Sequence, residues 1–261
     1  MTSLIKLAAA AAFALAMGTT AAFAEDTIKF GVAAEPYPPF TVKGADGNWS
    51  GWEVDIRDAL CKQMSVKCEW VETAWDGIIP ALQAKKFDVI WSSMSINDER
   101  KKTIDFTDKY YNTPASVIGA KDSTATPDAA GMTGKIIGVQ VSTIHAAYVD
   151  KYFKSVVKSV KTYQTQDEVN QDLAAGRIDV DMADSVTLSD FLKSDAGKAC
   201  CKLIGNVADD QAILGTGVGG GIRKEDTALR DKFNAAIKAI RASGEYATIT
   251  KKYFADDIYG K

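Results

Sequence analysis

The side chains best equipped for chemistry fall in a few short stretches. Arg100 stands just past Ser92-Ser93-Met94-Ser95, and Asp184 closes an apolar run. A guanidinium is a planar fork of donors that grips a carboxylate bidentately, which an ammonium cannot imitate. An aspartate can in turn face an ammonium. Each also has an ordinary structural use: Arg100 as a surface arginine opening a helix, Asp184 as a helix cap before Ser185. Ser92, Ser93 and Ser95 follow a strand-like run, so their hydroxyls and N–H groups can face a cleft or simply form a turn. Ser142 and Thr143 open a predicted helix, whose free N–H groups and positive dipole end suit an anion. Tyr37 and Trp75 can wall a pocket or fill a core, the commoner fate of such rings. Trp91, just before the serines, reads as core.

Other chemistries find little support. His145 is the one histidine and sits on a predicted helix without a nucleophile motif, so a Ser-His-Asp device has no place. Grouped Cys/His zinc ligands are missing, and no cofactor is expected. The 261 residues carry a formal net charge of -3. Basic residues come as scattered pairs, Lys85-Lys86, Lys101-Lys102 and Lys251-Lys252, which read as solvated helix faces and argue against a nucleic-acid partner.

The elements that must position these residues alternate. Strand-like runs at Thr27 to Ala33, Val66 to Val71 and Phe87 to Trp91 are separated by helical spacing over Glu53 to Met64 and Ile78 to Ala84. The rhythm repeats: strands at Lys135 to Gln140, Val156 to Tyr163 and Ile178 to Met182, helices at Ser142 to Phe153 and Gln166 to Ala175. Such alternation indicates βαβ units and mostly parallel sheets, whose ligands bind beyond the carboxyl ends of the strands. Thr113 to Ala120 is extended between the two series. Ala212 to Ile222 is extended and Gly-rich, followed by an amphipathic helix to Ala242, with Asp226 as its cap, and a last short helix from Glu245. Two lobes result.

Lys6 is the only charge before Glu25, Leu7 to Met17 is almost wholly apolar, and Ala22-Phe23-Ala24 offers small residues to a signal peptidase. The run is short of the ~20 residues that span a bilayer. Met1 to Ala24 therefore reads as a cleaved secretory signal, with the mature protein outside the cytoplasm. Export permits disulfides, and Cys61, Cys68, Cys200 and Cys201 allow three complete pairings. A Cys61–Cys68 bridge would clamp a helix-to-strand turn. The adjacent Cys200 and Cys201 leave a strained bridge, two free thiols or an intermolecular link all open.

Four ordered stretches resemble the polar amino-acid-binding branch of the periplasmic solute-binding proteins, the histidine- and lysine/arginine/ornithine-binding proteins among them. They are Tyr37-Pro38-Pro39-Phe40; Gly51-Trp52-Glu53-Val54-Asp55; Ser92 to Ile96 with Arg100 and Ile104 to Thr107; and Ala175 to Asp179 leading to Asp184. The resemblance implies an α/β fold of the type II periplasmic-binding kind. Each lobe is then a mostly parallel sheet flanked by helices, and two extended hinge segments join them. Lobe one would comprise residues 25–115 and 211–261, and lobe two residues 116–210. Arg100 then matches the arginine that grips the ligand α-carboxylate, Ser93 and Ser95 the serines beside it, and Asp184 the aspartate that pairs with the ammonium. Tyr37 and Trp75 match rings that enclose the ligand side chain. Trp52 and Glu53 replace Phe-Asp at the rim, Ser142-Thr143-Ile144 replaces Gly-Thr-Thr, and Glu35 neighbours Ala34, where lysine- and arginine-binders carry an acid. The implied protein is a monomeric, periplasmic binding component that passes a small zwitterion to the permease of an ABC importer. An opine or sugar–amino-acid conjugate is a further ligand class. The alternative is a cyclohexadienyl-dehydratase-like enzyme on the same fold, with Glu35 or Glu53 as general acid.

Overall fold

Most strands of the two sheets lie on the alternating apolar runs. The computed structural model describes residues 26–260, so the signal segment Met1 to Ala24 lies outside the described residues. In chain order the elements are β1 (Thr27–Ala33), the hairpin β2 (Val42–Lys43) and β3 (Trp49–Ser50), α1 (Trp52–Met64), β4 (Lys67–Thr73), α2 (Ile78–Gln83), β5 (Val89–Ile90), α3 (Asp98–Lys101) and β6 (Asp105–Phe106). Then follow β7 (Ala115–Ala120), β8 (Ile136–Gln140), α4 (Ile144–Tyr152), β9 (Ser159–Tyr163), α5 (Gln166–Ala174), β10 (Val180–Asp184), α6 (Ser185–Lys193), α7 (Asp195–Cys200) and β11 (Cys201–Asn206). The chain ends with α8 (Gln211–Leu214), β12 (Gly221–Ile222), α9 (Thr227–Ala242) and α10 (Glu245–Thr250).

Two five-stranded sheets organise the molecule. The first has the order β4-β1-β5-β12-β6 and the second β11-β7-β10-β8-β9. β1 pairs parallel with β4 and β5, and β8 pairs parallel with β9 and β10. β12 and β7 run antiparallel to their neighbours, so both sheets are mixed but mostly parallel. The first sheet thus draws on both ends of the described chain and the second on its middle. The chain crosses between them at 107–114 and again at 207–220. α8 interrupts the second crossing, which the sequence reading takes as extended from Ala212 on: Asp210 caps it by accepting from Ala212 N.

Aromatic packing fixes lobe one. Phe30, Trp91, Phe233 and Trp70 meet at ring distances of about 6 Å, and Trp91 stacks on Tyr110 at 4.0 Å. Both predicted helix faces of α1 and α9 contribute to this core through Ile56, Leu60, Phe233, Ile237 and Ile240. In α5 a capping box of Thr165 and Glu168 satisfies the first free N–H groups and fixes where the helix starts.

Both pairs of cysteines are bridged. Cys61–Cys68 joins the end of α1 to the start of β4, across Cα atoms 6.2 Å apart. Cys200–Cys201 is a bridge between neighbours, which settles the open reading in its favour. No helix among the described residues is long and apolar enough to cross a membrane.

Candidate functional site

The carboxyl ends of β1, β5, β8 and β10 all open onto the space between the lobes. One cavity there is lined by Glu35, Tyr37, Trp75, Ser92, Ser93, Ser95 and Arg100 from lobe one, and by Gln140, Thr143, Ile144, His145 and Gln166 from lobe two. A second cavity behind it shares Tyr37, Ser93, Ser95, Ile144 and His145, and adds Asp184 and the crossing segments.

Arg100 sits on α3, whose cap Asn97 accepts from Arg100 N at 2.9 Å. Its Nη1 donates to the Ser95 carbonyl at 2.9 Å and its Nη2 reaches across the cleft to the Ser142 carbonyl at 3.3 Å. The guanidinium lies 5.5 Å from the Trp75 ring centroid, a cation–π distance. No carboxylate among the described residues pairs with it, and burial lowers its pKa to about 10. A half-buried cation held only by neutral acceptors can take an anion as its partner.

Asp184 has the capping use that the sequence offers, and it also faces a cavity. It caps α6, with Oδ1 accepting from Val186 N at 2.9 Å, and Oδ2 accepts from the Thr113 hydroxyl. It also lines the second cavity, where burial raises its pKa to about 6.

The serines divide their work. Ser92 Oγ accepts from Ala33 N at 3.0 Å and ties the ends of β1 and β5 together. Ser93 holds a left-handed backbone, φ 53°, uncommon for a residue with a Cβ. Glu53 holds it there: the carboxylate accepts from Ser93 N at 2.8 Å, from Ser93 Oγ at 3.2 Å and from the Tyr110 hydroxyl. Ser142 is also left-handed, φ 59°, and serves the site through its carbonyl; its exposed side chain lines neither cavity. The Thr143 hydroxyl caps α4 by accepting from Ala146 N and donates to the Gln140 carbonyl.

Two rim expectations are corrected. Trp52 is fully buried, its Nε1 bonded to Thr250 and its ring packed among Phe40, Tyr110, Tyr111, Tyr246 and Phe254. It lines neither cavity, because α1 begins against the sheet and not at the cleft mouth. Glu53 is equally buried and meets the cleft only through Ser93; burial pushes its carboxyl up to about 7.

Sequence reasoning missed Gln140, Gln166 and His145. Gln140 ends β8, and a position at the carboxyl end of a parallel strand was the available signal. His145 is buried beside Arg100; burial first, then that charge, depress its pKa to about 3, so the ring is neutral. Two buried cleft atoms have no partner among the described residues: Glu35 Oε2 and Trp75 Nε1. No group of three or more metal-ligating side chains occurs among the described residues.

Residues 28–256 match the model for bacterial extracellular solute-binding proteins, family 3. The chain is 45% identical to the L-arginine-binding protein of Pseudomonas aeruginosa, with 98% of each chain covered. It is 39% identical to the histidine-binding periplasmic protein of Salmonella typhimurium, covering 98% of this chain and 99% of that one. The fold superimposes on a Salmonella typhimurium periplasmic binding protein of high arginine specificity with a TM-score of 0.80, at 28% identity, over 88% of this chain and 100% of the other. Two lobes around a polar cleft, with sequence agreement along nearly the whole chain, make this protein a member of family 3 of the bacterial extracellular solute-binding proteins.

Proposed function

We propose that the cleft captures a cationic amino acid, arginine foremost, for delivery from the periplasm to the permease of an amino-acid ABC importer. The observation that carries this reading is Arg100: a half-buried guanidinium in the cleft, bonded only to carbonyls of the two lobes and without a carboxylate partner among the described residues. In this reading the ligand α-carboxylate displaces part of that bonding, with Ser93 and Ser95 beside it, and Asp184 receives the α-ammonium. Tyr37 and Trp75 flank the side chain, and the unpartnered Glu35 Oε2 receives its cationic end. One chain supplies every wall of the cleft, which supports action as a monomer.

An opine is the second reading. The unpartnered Trp75 Nε1 donor suits the extra carboxylate of such a conjugate.

A thermal-shift panel of amino acids, opines and prephenate on the mature protein tests both. A ligand at a hundred times its Kd stabilises the native state by about 2.7 kcal/mol. The largest shift is expected with L-arginine. A response confined to opines would favour the second reading, and one confined to neutral or acidic amino acids would overturn both.

A further inference from the structure

On the lobe-two wall, the buried amide of Gln166 has both N–H groups committed inside its own lobe. Its Nε2 donates to Asp181 Oδ2 at 2.8 Å and to Asn170 Oδ1 at 3.3 Å. Gln140 beside it is tied the same way, its Nε2 donating to the Gln164 carbonyl at 2.9 Å. Asp181 is fully buried on β10 and lines no cavity described above. Burial raises its carboxyl to about 7, and a proton carried on Oδ1, which has no partner, would still leave Oδ2 an acceptor. With Asp181 ionised, or protonated on Oδ1, the amide nitrogen of Gln166 is the atom that faces it. Gln166 Oε1 is then its one uncommitted polar atom, and it is not among the sealed unpartnered atoms. Gln166 lines the ligand cavity together with Glu35, and it shares the neighbouring groove with Pro36, Tyr37 and Pro38. The amide therefore stands beside the loop that carries the unpartnered Glu35 carboxylate oxygen.

We propose that Asp181 is a positioning residue for ligand selectivity: by holding Gln166 as an acceptor beside Glu35, it favours a ligand whose far end only donates. A guanidinium has five N–H donors and no acceptor, whereas a ureido group brings a carbonyl oxygen that would meet the lone pairs of Gln166 and Glu35. This deepens, and rests on, the cationic amino-acid reading above.

Calorimetric titration of L-arginine and L-citrulline into the mature protein, Asp181→Asn and Gln166→Met tests it. In Asp181→Asn the new amide can donate to Gln166 Oε1, which frees the Gln166 amide to turn its N–H groups toward the cleft. The arginine-to-citrulline affinity ratio is expected to fall by about tenfold or more in both variants, the size of one hydrogen bond to a charged group. An equal loss for both ligands, or no loss, would overturn the proposal, since a merely structural role moves both alike. A ratio that falls in Asp181→Asn and holds in Gln166→Met would also overturn it, reducing Asp181 to a distant charge. If Asp181→Asn does not fold, the charge-preserving Gln166→Met decides alone. Absence of arginine binding by the unaltered protein is a separate failure, that of the underlying reading.

Discussion

Arg100 and Asp184 are each held by the protein's own groups before a ligand arrives, and this sets what their loss should do. Arg100→Ala leaves a ligand carboxylate in the cleft without its cation. Hydrogen bonds to charged groups contribute about 1.5–3 kcal/mol each, so a bidentate pair implies at least a hundredfold loss of affinity. Calorimetry checks this, and a tenfold loss or less would count against the carboxylate role. Asp184 gives a pH dependence. Its carboxyl titrates at about 6 in the ligand-free cleft, and pairing with an ammonium requires the ionised form. Affinity should therefore fall about tenfold between pH 7 and pH 5. Asp184→Asn should be weaker at pH 7 and nearly flat with pH; a slope unchanged in that variant would assign the titration elsewhere. The placement of Asp184 and the serines at the cleft was legible because residue type, strand-end position and family pattern agree on them, and that of Arg100 because its spacing from the serines does. Trp52 and Glu53 were misplaced because their burial depends on rings from distant segments, Tyr110, Tyr246 and Phe254, which local spacing does not bring together.

At the scale of elements, strands and long helices were legible where periodicity is strong, and their ends less so. The sequence reading extends the strand at 87–91 beyond the observed Val89–Ile90, because apolar residues flanking a short strand are buried by the helices as well as by the sheet. The short helices α6 and α7 and the strand β11 went unread. α7 spans six residues and depends on its Ser194 cap and on packing against α6, not on a periodic face. The Cys61–Cys68 bridge closes a turn at the end of lobe one away from the cleft, where β1 and β4 begin. Constraining so short a loop stabilises by roughly 2–3 kcal/mol in the chain-entropy model. A Cys61→Ser, Cys68→Ser double variant should lose about that much in denaturant unfolding while keeping its order of ligand preference. A changed order of preference would show that the turn reaches the site.

For the whole molecule, three buried carboxyls act together. Glu53, Asp181 and Asp184 titrate at about 7, 7 and 6, above the ordinary range near 4. The folded state thus holds their protons more tightly than the unfolded chain. The stability this confers is full at low pH and is lost as pH rises from about 4 through 7. Carboxylates lowered by ion pairs, such as Asp105, Asp172 and Asp210, act in the opposite sense below this window. His145, depressed to about 3, opposes part of the gain within it, because only its unfolded form is protonated below about pH 6.5, yet the three carboxyls outweigh that one ring. The ligand-free protein should therefore be more stable at pH 5 than at pH 8, by about 1 kcal/mol or more in urea unfolding. A monotonic gain in stability from pH 5 to 8 would contradict the burial of these groups. Ligand should act against this trend, because it supplies the charges that Arg100 and Asp184 lack and favours the state in which both lobes touch it.

The most direct measurement is a calorimetric comparison of L-arginine with agmatine, the same cation without its α-carboxylate. Pairing of that carboxylate with Arg100 predicts that arginine binds at least a hundredfold more tightly in the unaltered protein. It predicts also that this gap closes in Arg100→Ala. Agmatine binding as tightly as arginine, or a gap that survives loss of Arg100, would contradict the account.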